Sequence, residues 1–302
     1  MAYVAFDLDN TLGFFEYTNP LSYLWSPDML TNPEQARVNP AVSLPPILLR
    51  RLAAARKKFA QKLLRNHHLL FSILRPNLNT LIYPLLALKR NRRLKSVIIY
   101  SNSGVTASLE LAKELIEKHY DCAGLFQVLA DHWHPLRVQD RPPTYTPQPR
   151  TYVEPLKTPK VLKALFREAT HERRVIPSKN ILFVDDRRPK HAIQEEEPRG
   201  LTYIVPTPYY ADLSKKDRLS LVAMAIESLD EAGIMDDSEY VDSAFCNRLI
   251  PYDFTKTYRI SSFYELAEFV LAEVLSVRTP ARAWEADTDV LRARISTFLE
   301  KI

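Results

Sequence analysis

Two short apolar runs, each ending in a pair of aspartates, constrain this chain more than any other feature. The first is Val4-Ala5-Phe6, followed by Asp7-Leu8-Asp9-Asn10-Thr11-Leu12; the second is Asn180-Ile181-Leu182-Phe183-Val184, followed by Asp185-Asp186. Apolar runs bounded by polar turn formers read as strands buried on both faces, which is how parallel sheets are built. In an open α/β sheet the carboxyl ends of the strands face the ligand crevice. Carboxylates this close repel each other unless a proton or a cation lies between them. Asp and Asn also form turns readily, so the first pair alone is compatible with a plain turn; its recurrence after a second strand favours one shared site.

The segments between and beyond these runs alternate in type. Leu94 to Tyr100 reads as a third strand, ending at Ser101-Asn102-Ser103-Gly104 and followed by a helix over about 106 to 118. Phe126-Gln127-Val128-Leu129 reads as a short strand, and Trp133-His134-Pro135 opens a proline-rich loop that runs to residue 156. Lys157-Thr158-Pro159 precedes a helix over 160 to 169, with proline suited to the first turn. A further strand spans 201 to 205, and helices are expected at 46 to 74, 78 to 89, 214 to 232, 261 to 277 and 281 to 302. Strand, turn and helix in repetition predict an α/β fold: a Rossmann-like three-layer sandwich with a mostly parallel sheet. Residues 1–12 and 91–210 make its core, 13–90 a mainly helical cap insertion after the first motif, and 211–302 a helical C-terminal extension.

Composition narrows the chemistry. Only 5 of the 302 residues are glycine, against 22 prolines, which excludes a glycine-rich phosphate loop. Cys122 and Cys246 are the two cysteines, so no disulfide framework or cysteine zinc site is supported, and a reducing compartment, cytoplasm or nucleus, is expected. His67, His68 and His171 lack partners at metal-ligand spacing. No segment is long enough to span a bilayer, so no membrane partner is expected. The net charge of +5 is compatible with anionic partners without requiring nucleic acid. The helix at 46 to 74 carries Arg50, Arg51, Arg56, Lys57, Lys58, Lys62 and Arg65, which either meet phosphates of a polymer or form a solvated face.

Taken in order, Phe6 to Leu12, Ile98 to Asn102, Lys157 ahead of its helix, and Phe183 to Arg187 resemble the four motifs of the haloacid dehalogenase-like hydrolase superfamily. The resemblance spans roughly residues 1 to 205 and implies a phosphorylated substrate. It implies Asp7 as nucleophile, forming an aspartyl-phosphate, and Asp9 as general acid and then base. Thr11 orients the first loop, Ser101 and the Asn102 amide hold phosphoryl oxygens, and Lys157 offsets negative charge; the Lys-x-Pro arrangement favours it over Lys160. Asp185, Asp186 or both complete a magnesium (Mg2+) site with Asp7 and the Asp9 backbone carbonyl. Arg187 and Arg188 bind a second anionic group or answer the two aspartates. His134 is a candidate to line the substrate pocket, and His191 a surface residue. The expected activity is magnesium-dependent phosphomonoester hydrolysis; the competing reading is an inactive member that binds nucleic acid or serves as a scaffold.

Overall fold

A computed structural model describes residues 1–25, 46–103, 106–132, 134–139, 157–187, 200–234, 248–252, 256–260, 263–278 and 288–301. The expectations for Trp133, Arg188, His191, Cys246, residues 26–45 and the proline-rich stretch 140–156 lie outside the described residues. Five strands form one sheet: β1 (Ala2–Phe6), β2 (Leu94–Tyr100), β3 (Phe126–Ala130), β4 (Ile181–Val184) and β5 (Thr202–Ile204). Their order is β3-β2-β1-β4-β5, and every neighbouring pair is parallel. The chain builds outward from β1 through β2 to β3, then crosses back to place β4 on the other side of β1. That reversal is the switch point at which open α/β sheets bind ligands.

Alternation along β1 explains why its residues are apolar throughout. Val4 lies level with Val97 and Leu182, and Phe6 with Ile99 and Val184; this face joins the larger apolar cluster. Tyr3 and Ala5 point the other way, into a second cluster with Ile98, Tyr100 and Phe183. Helix α7 (Pro159–Thr170; α1 to α6 are placed below) covers that second face with Val161, Leu162, Leu165 and Phe166. Thr158 caps α7 by accepting the Val161 N–H, Pro159 occupies its first turn, and His171 ends it in the left-handed region at φ 54°.

The insertion between β1 and β2 holds α1 (Ser22–Trp25), α2 (Pro46–Arg65), α3 (His67–Ile73) and α4 (Asn79–Arg90). The sequence predicts one helix over 46 to 74, but two form. Asn66 interrupts it at φ −93°, ψ 81°, and its side chain accepts the Leu69 N–H to cap the second helix. Helix α4 packs on β2, whereas α2 packs on α5 (Thr106–His119) and on α8 (Lys215–Asp230). One apolar cluster therefore runs from β1 through the insertion to the C-terminal helices α8, α9 (Phe263–Ser276) and α10 (Thr288–Glu300). The short α6 (Pro135–Gln139) follows β3. Between α8 and α9 lies an antiparallel strand pair, β6 (Arg248–Tyr252) and β7 (Lys256–Ile260), where the sequence predicts no regular element. Pro251 breaks the sequence signal, yet a two-stranded ladder consists only of edges, where proline is tolerated.

Three of the seven basic residues of α2 are answered by acidic side chains from within the chain. Arg56 pairs with Glu110, Lys58 with Glu231 at 3.5 Å, and Lys62 with both Glu227 and Glu231 at 2.7 Å. Those three are engaged by internal partners rather than left for the phosphates of a polymer.

The loop after β1 is stitched to the end of α3. Phe14 N–H donates to the Ile73 carbonyl at 2.7 Å, and Arg75 N–H to the Leu12 carbonyl at 3.1 Å. Gly13 lies at the closest approach: a Cβ there would meet the Ile73 carbonyl oxygen at 2.6 Å and the Phe15 ring at 2.7 Å. Gly13→Ala is therefore expected to lower stability by about 1–3 kcal/mol through overpacking, measured by thermal unfolding. An unchanged melting temperature would contradict the tight seam.

Candidate active site

The period-two alternation that buries Ala5 and Phe183 on the α7 face carries Asp7 and Asp185 to the same side at the strand ends. The backbone fixes both: Asp7 N–H donates to the Val184 carbonyl at 2.8 Å, and Asp185 N–H to the Ile204 carbonyl at 3.1 Å. Lys157 reaches this point from the segment entering α7, where the Thr158 N–H donates to the Tyr100 hydroxyl at 3.2 Å. Its ammonium lies 2.6 Å from Asp7 Oδ1 and 2.6 Å from Asp185 Oδ2. The Phe183 ring centroid is 5.3 Å from it. Lys157 is 2% exposed and Asp185 0%, so the charges meet almost without water. Lys160, in contrast, is exposed on α7.

Asp186 completes the acidic cluster. Among the described residues, one group of side chains could hold a metal ion: Asp7, Asp185 and Asp186, with carboxylate oxygens all within 4.8 Å of one another. Thr11 ties the two acid-bearing loops together, its Oγ1 accepting the Asp186 N–H at 3.2 Å. The Arg187 N–H donates to Asp185 Oδ1 at 2.9 Å, and the Arg187 carbonyl accepts the Tyr203 hydroxyl at 2.9 Å.

Asp9 stands apart from that cluster and is partly buried. Its carboxylate accepts the Phe15 N–H at 3.2 Å and a hydrogen bond from the Asn19 side chain. Ser108 in turn donates to Asn19.

Electrostatics leave the cluster short of positive charge. Burial pushes the Asp7 carboxyl up, Lys157 draws it back and Asp185 adds repulsion, leaving it above the ordinary carboxylate range. For Lys157 burial acts downward, but Asp7 and Asp185 outweigh it, so the ammonium keeps its proton. Burial, then Asp7 and Asp185, push Asp186 up to about 7. Burial, then Asp7 and Glu16, push Asp9 up to about 7. One ammonium does not offset three converging carboxyls in a desolvated crevice. All-oxygen donors at this spacing suit a hard divalent cation such as magnesium, which accepts a few carboxylates and keeps waters for the remaining positions.

At the end of β2, Ser101 is buried, and its Oγ accepts the Ser103 N–H at 3.2 Å. Asn102 Oδ1 accepts from Arg137 Nη2 at 2.6 Å. Arg137 was not anticipated from sequence: it is 4% exposed, donates to the Ser101 carbonyl and, at 2.9 Å, to the Asp131 carbonyl, and lies 4.9 Å from the Tyr100 ring centroid. A signal was present in Asp131, which ends the apolar run of β3 as Asp7 and Asp185 end theirs. Glu16 and Asn19 carry no such signal, since only the folded loop returns them to Asp9. His134 is half-buried, its Nε2 3.8 Å from Glu168 on α7.

Comparison with protein-family models, curated proteins and solved structures finds no match in any of the three. The site itself supports a coarse statement: a parallel α/β sheet with a buried aspartate cluster at its carboxyl edge is consistent with a haloacid dehalogenase-like core. Among the described residues no helix is long and apolar enough to cross a membrane.

Proposed function

We propose that the protein is a magnesium-dependent phosphomonoesterase of the haloacid dehalogenase-like type. The observation that carries this reading is the Lys157 ammonium held 2.6 Å from both Asp7 and Asp185 at the switch point of the sheet. A carboxylate attacks an anionic phosphate only where its charge is offset. In this reading Asp7, Asp185, Asp186 and the Asp9 carbonyl hold the cation, which when bound neutralises phosphoryl charge.

The chain's own groups then divide the work. An Asp7 oxygen attacks phosphorus, the bond to the leaving oxygen breaks, and Asp9 gives that oxygen a proton. A carboxyl pushed up to about 7 by burial still holds a proton near neutrality, which suits a general acid. Asp9 then takes a proton from the water that attacks the aspartyl-phosphate, releasing phosphate and restoring Asp7. Lys157 keeps its charge throughout. Ser101 and the Asn102 backbone amide bind phosphoryl oxygens, while Arg137 donates to Asn102 Oδ1 and holds that side chain in place. Arg187 draws Asp186 downward electrostatically and supplies further positive charge at the rim.

The test has two arms. Hydrolysis of a panel of phosphorylated metabolites, nucleotides and phosphopeptides is expected with magnesium and lost on chelation; folded protein inactive across the panel overturns the reading. The second arm is thermal unfolding with and without magnesium at pH 5.5 and pH 8. Carboxyls raised to about 7 bind protons more tightly folded than unfolded, so their contribution favours folding in acid and is lost as pH rises toward 7. Magnesium opposes that loss, by about 2.7 kcal/mol at a hundred times its dissociation constant. The stabilisation is expected to be larger at pH 8, where protons no longer compete.

A further inference from the structure

Behind the loop that follows the proposed nucleophile lies another buried cation. Arg75 follows α3, is 1% exposed, and sends its guanidinium to three distant parts of the chain. Nη1 donates to the carbonyls of Asn10 at 3.1 Å and Thr11 at 3.2 Å, Nη2 to the Thr207 carbonyl at 2.8 Å, and Nε to Thr288 Oγ1 at 3.3 Å. Thr288, at the start of α10, donates its own hydroxyl hydrogen bond to the Pro76 carbonyl at 2.6 Å. Tyr209 N–H shares the Asn10 carbonyl at 2.9 Å. A planar fork of five donors can meet acceptors in several directions at once, which an ammonium on a single stem cannot.

These contacts bear on the chemistry through Thr11. Its carbonyl is held by Arg75, and its Oγ1 accepts the Asp186 N–H at 3.2 Å. Arg75 thus fixes from behind the residue that spaces the first acid pair from the second. The carbonyl and the following N–H of a trans peptide point in opposite directions. Holding the Asn10 carbonyl on Arg75 therefore turns the Thr11 N–H away from the arginine. Asn10 sits at φ 60°, in the left-handed region that asparagine tolerates better than most residues, and this turns its carbonyl toward Arg75 and the Tyr209 N–H.

We infer that Arg75 is a positioning residue for the proposed phosphoryl transfer. Through Asn10 and Thr11 it sets the loop bearing Asp9 and the distance from Asp7 to Asp186, and through Thr288 it makes α10 part of the catalytic unit. The inference rests on the phosphomonoesterase reading.

Arg75→Lys and Thr288→Val test it, with two readouts: kcat and KM at saturating magnesium, and residue-level amide exchange. Arg75→Lys is expected to lower kcat on the order of tenfold to a hundredfold, the cost of a displacement near 1 Å in a reacting site, with KM changed less than about threefold. The Asp186 amide is expected to exchange faster, while amides of β1, β2 and β4 keep their rates. Thr288→Val should shift both readouts the same way by a smaller factor, and it carries the test if Arg75→Lys does not fold. Unchanged kcat with unchanged Asp186 exchange overturns the inference. So does faster exchange across the whole sheet, which marks Arg75 as merely structural. Wild-type protein without turnover overturns the phosphatase reading instead, and Asp186 exchange in Arg75→Lys then decides the positioning role alone.

Discussion

Asp7→Asn is expected to reduce turnover on the order of a thousandfold or more, a barrier increase of about 4 kcal/mol, while the protein stays folded. Asparagine keeps the shape of the side chain but removes the carboxylate that the proposed mechanism uses to form the acyl phosphate. Stability should not fall with it. Lys157 retains Asp185 at 2.6 Å, and the cluster loses one of the carboxyls that burial and repulsion hold above their ordinary range. Without magnesium the variant is expected to melt at or above the wild-type temperature at pH 8. Measured together, kcat and melting temperature separate a lost nucleophile from a damaged fold. Retained turnover would remove Asp7 from that role.

The second large effect is expected from Lys157→Met. Methionine fills much of the same space against Tyr100 and Phe183 but removes the ammonium that pairs with both Asp7 and Asp185. Removing one partner of a buried ion pair typically costs about 3–5 kcal/mol, because the remaining charge is left uncompensated. Here two carboxyls lose their counter-charge, and Asp7, already held above the ordinary carboxylate range by burial, is pushed further up. The loss is thus expected to be larger at pH 8 than at pH 5.5, read by thermal unfolding at the two values. Adding Asp7→Asn to Lys157→Met should recover part of it, a coupling of about 0.5–3 kcal/mol. A Lys157→Met protein as stable as wild type at pH 8 would deny lysine its role as the counter-charge.

How much of this was legible in the sequence depended on whether the signal was local. The apolar strands β1, β2 and β4 show as short runs, and their terminal acids stand out because a charge after such a run must leave the core. Strand alternation then brings Asp7 and Asp185 together, with Lys157 placed by the capped start of α7. Arg75 was invisible because its partners, Asn10, Thr11, Thr207 and Thr288, are main-chain carbonyls and a hydroxyl up to 213 residues away. Backbone acceptors carry no side-chain signature. Asn66 hid for the opposite reason: apolar periodicity continues across it, and only its capping bond to Leu69 splits the helix. The basic stripe of α2 was visible, but its acidic partners Glu110, Glu227 and Glu231 come from helices that only the fold brings alongside.

The most direct test of the central claim is to quench the enzyme in acid during steady-state hydrolysis and map the trapped phosphate by peptide mass spectrometry. The account predicts an acid-stable, hydroxylamine-sensitive phosphate on the peptide carrying Asp7, absent in Asp7→Asn and absent without magnesium. Active enzyme whose quenched protein carries no phosphate, or carries it on another residue, would contradict it.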